Sequence, residues 1–112
     1  MLAYEKLDVY QCAVQFLAVL AEIVQGLPKG NSVLGDQLRR ASLSIPLNIA
    51  ESAGKPTTAE RKRFSGIARG SAMECGAILD ACHVLELADD CTVRQGKELL
   101  VRIVSMLSKM SR

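Results

Sequence analysis

Apolar residues recur along the chain at steps of three and four, and no stretch alternates apolar and polar residues as a half-buried strand would. Val9, Ala13, Phe16, Leu20, Ile23 and Leu27 form one such seam. Asp8 stands ahead of it with Gln11 at capping-box spacing. Gly26, expected in a left-handed conformation, and Pro28 form a stop signal. A second helix opens between Ser32 and Asp36 and continues through Leu34, Leu38, Ala41, Ile45, Asn48 and Ser52, until Gly54 and Pro56 repeat the stop. Thr57 and Glu60 make a capping box for a third helix, whose seam reads Phe64, Ile67, Ser71, Cys75, Ile78, Cys82 and Leu85 and which stops near Leu87 to Asp90. Thr92 followed by Gln95 begins the fourth, with Val93, Gly96, Leu100, Ile103, Leu107 and Met110 inward. Four helices with short links predict an all-α fold, an up-down-up-down antiparallel four-helix bundle. At 112 residues the chain makes one domain, residues 1–112.

Three features depart from an ideal bundle. Pro46 lies inside the second helix, where it removes a backbone donor and crowds the carbonyl of Ser42; the expectation is a tolerated kink. Gly66, Gly70 and Gly76 lie inside the third helix, each costing about 1 kcal/mol relative to alanine. They suggest that another backbone comes close, either the second helix or another subunit. Asn48 and Ser71 put polar groups on the seam, where each needs a hydrogen-bond partner, while Ser52 at a helix end is open to water. Antiparallel pairing across the Gly54–Thr57 turn sets Arg40 opposite Ser71 with Glu74 one turn away, an expected ion pair, and brings Glu51 near Glu60 and Arg61. Pro46, Asn48, Glu51, Ser71 and Glu74 are therefore read as structural residues.

Composition narrows the chemistry. Aromatic residues are 4% of the chain and tryptophan is absent, which removes rows of stacking platforms for single-stranded nucleic acid. Cys12, Cys75, Cys82 and Cys91 show no C-x-x-C spacing and read as small buried thiols of a reducing compartment. Glu5, Lys6 and Asp8 interrupt the start of the chain where a secretory signal would be apolar, and the run Phe16–Ala21 is too short to span a membrane. The expectation is a cytoplasmic protein with no membrane partner. Net charge is only +2, but residues 37–70 hold seven basic and two acidic groups and residues 71–91 hold none and five. Antiparallel folding turns that imbalance into a bundle with one basic end, including Lys6, Lys55, Arg61, Lys62 and Arg63, and one acidic end, including Glu22, Asp36, Glu86 and Asp89. Basic groups so gathered can meet a phosphate backbone by releasing its counterions.

Catalytic patterns are poorly supplied. The chain has one histidine, His83, at i+3 from Asp80. A di-metal carboxylate bundle needs two such pairs and further carboxylates, so no metal and no cofactor are expected. Phosphate loops, dinucleotide turns and nucleophile elbows are missing, and Ser71 has no base near it in sequence. The chain is expected to be no enzyme.

The stretch Gln37-Leu38-Arg39-Arg40-Ala41-Ser42-Leu43-Ser44-Ile45-Pro46-Leu47-Asn48-Ile49-Ala50-Glu51 resembles the signature of the four-helix-bundle proteins encoded in intervening sequences of large-subunit ribosomal RNA genes. Phe64, the block Ile67–Glu74 and the opening Leu7-Asp8-Val9-Tyr10-Gln11 resemble the same family. Where that family usually follows the glutamate with glycine, this chain has Ser52-Ala53-Gly54. The family is similar in turn to the accessory protein of diversity-generating retroelements, a basic ring-shaped homopentamer that works with a reverse transcriptase and nucleic acid. The resemblance implies a homo-oligomer, with a pentamer favoured, in contact with RNA or nucleoprotein, and no enzyme activity. Charge and resemblance together name Arg39, Arg40, Arg61, Lys62, Arg63 and Arg69 as candidate phosphate contacts. A ring that recruits a protein partner without nucleic acid is the competing expectation.

Overall fold

The computed structural model describes residues 1–112. A 3₁₀ turn, Ala3–Lys6, leads into four helices: α1 (Asp8–Gln25), α2 (Ser32–Gly54), α3 (Thr58–Val84) and α4 (Asp90–Met110). No strand is present. Each helix packs on its sequence neighbours and α4 closes on α1, while the diagonal pairs make no close backbone contact. The molecule measures 45 × 24 × 21 Å, a bundle of nearly square section. No helix is long and apolar enough to cross a membrane.

The helix ends follow local chemistry, in places through different residues than the sequence pattern suggests. Asp8 is the first residue of α1 and caps nothing; Leu7 is the N-cap without a side-chain bond, and Gln11 Nε2 instead donates to Glu5 O at 3.2 Å. Gly26 is right-handed, its N–H bonded to Glu22 O. The left-handed glycine is Gly30, at φ 93°, in the turn where Asn31 Nδ2 donates to Pro28 O at 2.8 Å. Thr57 caps α3 as expected, accepting from Glu60 N at 3.2 Å, although the Glu60 carboxylate accepts the Thr57 hydroxyl at 2.9 Å rather than the backbone N–H. The α4 cap is Asp89, which accepts from Thr92 N at 3.1 Å, because Thr92 already lies inside the helix. α3 ends at Val84, short of the expected stop, and Glu86 turns the chain at φ 55°.

Phe16, Leu38, Ile45, Ile49, Leu79, Ile103 and Leu107 are the large side chains fully withdrawn from solvent at the core. Each such burial contributes roughly 1.5–3 kcal/mol. Gly96 belongs to this core, since a Cβ there would stand 3.0 Å from Leu79 Cδ1 and 3.5 Å from Phe16 Cε1. The α1 and α4 seams lie inward as the pattern predicts, with Leu27 and Met110 half-buried at their ends.

The α2 and α3 seams hold in part: Leu38, Ala41, Ile45, Ser52, Cys75, Ile78 and Cys82 are buried on the expected seam, and other positions are shifted. Ile49 rather than Asn48 enters the core, and Ser65, Ala68 and Ala72 rather than Phe64, Ile67 and Ser71. The reason is the contact between these helices, which is lined by small and hydroxyl-bearing residues. Asn48 Nδ2 donates to Ser44 O at 2.8 Å and Ser44 Oγ at 2.9 Å, and Ser71 Oγ donates to Ser44 Oγ at 2.8 Å. Ser52 is buried, not wet: its hydroxyl donates to Arg61 O at 2.7 Å and meets Ser65 Oγ at 3.0 Å. Thus Ser44, not Arg40, faces Ser71. The expected Arg40–Glu74 ion pair does not form, since both residues are exposed and neither has an opposite charge within 4 Å. Gly66 and Gly70 have nothing within 4 Å of where a Cβ would stand, so α2 is not the backbone that they admit. Pro46 is buried within a continuous α2. All four cysteines are free, and Cys91 is exposed rather than buried.

Candidate nucleic-acid interface

Four helix termini meet at the end of the bundle that carries the Lys55–Thr57 turn: the starts of α1 and α3 and the finishes of α2 and α4. Two positive and two negative macrodipole ends offset one another there, so the side chains decide the sign. The charged run at the start of α3 is divided by its surroundings. Arg61 folds back, with Nη1 donating to Lys55 O at 2.9 Å and Nη2 to Thr58 Oγ1 at 3.2 Å. It satisfies a carbonyl just past the end of α2 and holds the turn. Lys62 is exposed with no acid within 4 Å. The Arg63 guanidinium lies 5.2 Å from the centre of the Phe64 ring, and Lys55 Nζ is 4.9 Å from the same centre. Lys55 also pairs with Glu51 at 3.3 Å. Glu51 thus takes Lys55 as its ionic partner, while its neighbour Ser52 bonds Arg61 O at 2.7 Å, so the end of α2 meets Arg61 as expected but without an ion pair between Glu51 and Arg61.

The other candidates stand apart. Arg69 is half-buried and donates Nε to Ser108 Oγ at 2.8 Å, tying α3 to α4. Arg39 pairs with Asp36 at 3.2 Å, and Arg40 is exposed without an ionic partner. At 1.5 Å per residue, Arg39 and Arg40 lie roughly 21 Å along α2 from the Gly54 end. The six arginines and lysines named from the sequence therefore do not form one patch. Arg63 and Lys55 share the Phe64 ring at the bundle end, with Lys62 next to Arg63 in sequence. Lys55 is outside the six; its sequence signal is a basic residue held between Gly54 and Pro56, and only the fold brings it to Phe64.

Elsewhere, Lys97 Nζ bonds Asp80 Oδ1 across α3 and α4, and His83 Nδ1 meets Asp90 Oδ1 at 3.0 Å. Asp80 and His83, which share a helix face in sequence, thus point to separate partners. No group of three or more potential metal ligands occurs. Burial pushes the Cys75 thiol up to about 12, with the Glu74 charge adding to it, and pushes the Cys82 thiol up as well. Both are therefore protonated and unreactive at neutral pH.

A family model described as 23S rRNA-intervening sequence protein matches residues 5–109, nearly the whole chain. The chain belongs to that family. No curated protein matches it.

Proposed function

We propose that this member of the 23S rRNA-intervening sequence protein family is a non-enzymatic, homo-oligomeric bundle of the cytoplasm that binds RNA or ribonucleoprotein through basic side chains. The observation that carries this reading is the family match, whose name ties it to ribosomal RNA. The Lys55, Lys62 and Arg63 group adds support as a place for phosphates. Arg39, Arg40, Arg61 and Arg69 complete the candidate set; Arg61 and Arg69 would have to give up internal hydrogen bonds to reach a phosphate. Contacts of this kind position RNA without reading bases. A ring would place every basic end on one rim, where binding becomes multivalent. Five subunits is the count that the likeness to the retroelement accessory protein implies.

Binding to generic RNA, followed by fluorescence anisotropy at two salt concentrations, tests the reading. Affinity should fall at least tenfold between about 50 and 200 mM salt, and Lys62→Ala with Arg63→Ala should lower the salt slope by about two. Absence of binding at the lower salt overturns it. The exposed apolar residues Val33, Val84, Leu85 and Val101 favour a second reading, a ring that recruits protein alone. A multi-chain solution mass without RNA binding would support that one.

A further inference from the structure

Two surface features of α2 and α3 complement each other but face away from one another within a single chain. Leu43 and Leu47, one turn apart on α2, are 50% and 56% exposed and form an outward ridge. Gly66 and Gly70, one turn apart on α3, have open space where side chains would stand, and Ile67 and Met73 beside them are 40% and 54% exposed. Glycines in a solvated helix surface weaken the helix, and leucines on one gain nothing from water. A ridge and a trough on neighbouring corners of one bundle are what a head-to-tail contact requires.

We propose that copies of this chain meet by seating the Leu43–Leu47 ridge of one copy in the Gly66–Gly70 trough of the next. The proposal rests on the homo-oligomeric reading above and names the surface through which it assembles. Cyclic symmetry about an axis parallel to the bundle keeps all copies at one height. The levels at which α2 and α3 coincide are therefore those fixed inside the chain by Ser44 with Ser71 and Ser52 with Ser65. At that register Leu47 of one copy lies within about 2 Å of the level of Gly70 in the next, Ala50 lies near Gly66, and Leu43 near Met73. Large residues meet small ones along the contact.

Charge follows the same register. Arg40 of one copy comes level with Glu74 of the next, and these are two exposed ions that find no partner in their own chain. Asp36 and Asp80 also come level, but each is already neutralised internally, by Arg39 and Lys97. Helices α2 and α3 are neighbours in the bundle and the diagonal pairs make no close contact, so ridge and trough lie on adjacent corners and the contact is heterologous rather than two-fold.

Cysteine cross-linking tests the contact in the full-length chain, with Cys91→Ser removing the exposed thiol. Leu47→Cys and Gly70→Cys chains carrying tags of different size are expressed together and oxidised. The expected result is a mixed disulfide dimer on a non-reducing gel, with no cross-link when either variant is expressed alone. Cross-linking of Gly70→Cys alone would show a two-fold contact and overturn the proposal. So would no mixed dimer from a wild-type protein whose light-scattering mass is several chains, and the oligomeric reading would then survive. A wild-type mass of one chain would remove both. Charge reversal is the second arm: Arg40→Glu should lower the mass, and adding Glu74→Arg should restore it. Loss without rescue counts against the pairing.

Discussion

Leu87 N–H reaches back to Cys82 O at 2.9 Å and Glu86 N–H to His83 O at 3.1 Å, the paired bonds that close a helix around a left-handed residue. A glutamate holds that left-handed place, at φ 55°, against a steric cost of roughly 1–2 kcal/mol that glycine does not carry. Glu86→Gly should therefore stabilise the bundle by about 1 kcal/mol, the remainder being offset by the freer unfolded chain. The thermal midpoint followed by circular dichroism should rise by about 4 °C or more, and a fall would assign the Glu86 side chain a contact of its own. Cys75 gives a second consequence at this scale. Burial first, and the Glu74 charge second, raise its thiol from 9.0 to about 12. Between those values the unfolded chain has released a proton that the folded chain keeps, so stability falls as pH rises, by up to about 1.4 kcal/mol per pH unit. Urea midpoints taken from about pH 8 to 10.5 should drop in the wild type and drop less steeply in Cys75→Ala. Equal slopes would mean that other groups carry the dependence.

The first half of α3 shows why an element can be legible while its buried face is not. All four helices follow from spacing and punctuation, and for α1 and α4 the apolar seam is also the buried one, because Phe16, Leu20, Leu100 and Ile103 are both the most apolar and the most inward residues. On α3 the large apolar residues Ile67 and Met73 stay outside while Ser65, Ala68 and Ala72 are buried. Hydrophobicity alone cannot read that choice. It depends on how closely α2 approaches, and a hydroxyl can be buried there only because Ser44, Asn48 and Ser52 stand opposite. The same limit applies to the candidate interface. Its cations are visible as a run, but their division into Arg61 folded onto a turn and Arg63 set over a ring depends on where Lys55 O and Phe64 lie. Gly66 and Gly70 turn this into a test. Alanine at each should raise the helix propensity of α3 by about 1 kcal/mol, with no steric neighbour inside the chain to offset it. The double variant should melt higher than the wild type when both are diluted to single chains, yet assemble at higher concentration than the wild type needs. A higher melting point with unchanged assembly would leave these glycines outside any contact between copies.

At the scale of the whole molecule, the apolar ridge ends at Leu47, which lines one groove with Lys55 of the basic group, and assembly and affinity are linked. A lone bundle end offers few free cations, since Lys55 is paired with Glu51 and Arg61 is held by the turn. Three or four phosphate contacts give weak binding at physiological salt. Joining several such ends on one rim makes each later contact intramolecular, and avidity can then exceed single-site affinity by about 10²-fold or more. Leu47→Glu removes no cation and touches no core residue, because Leu47 is exposed in the single chain. It should leave the folded bundle's circular dichroism intact, reduce the light-scattering mass to one chain, and weaken RNA binding by about 10²-fold with a shallower salt slope. The added negative charge also acts directly, since Leu47 lines one groove with Glu51 and Lys55. Leu47→Gln separates the two effects without adding charge, and it should weaken binding to the extent that it lowers the mass. If Leu47→Glu becomes a single chain and still binds RNA as tightly as the wild type, multivalency is not the source of affinity, and one bundle end suffices.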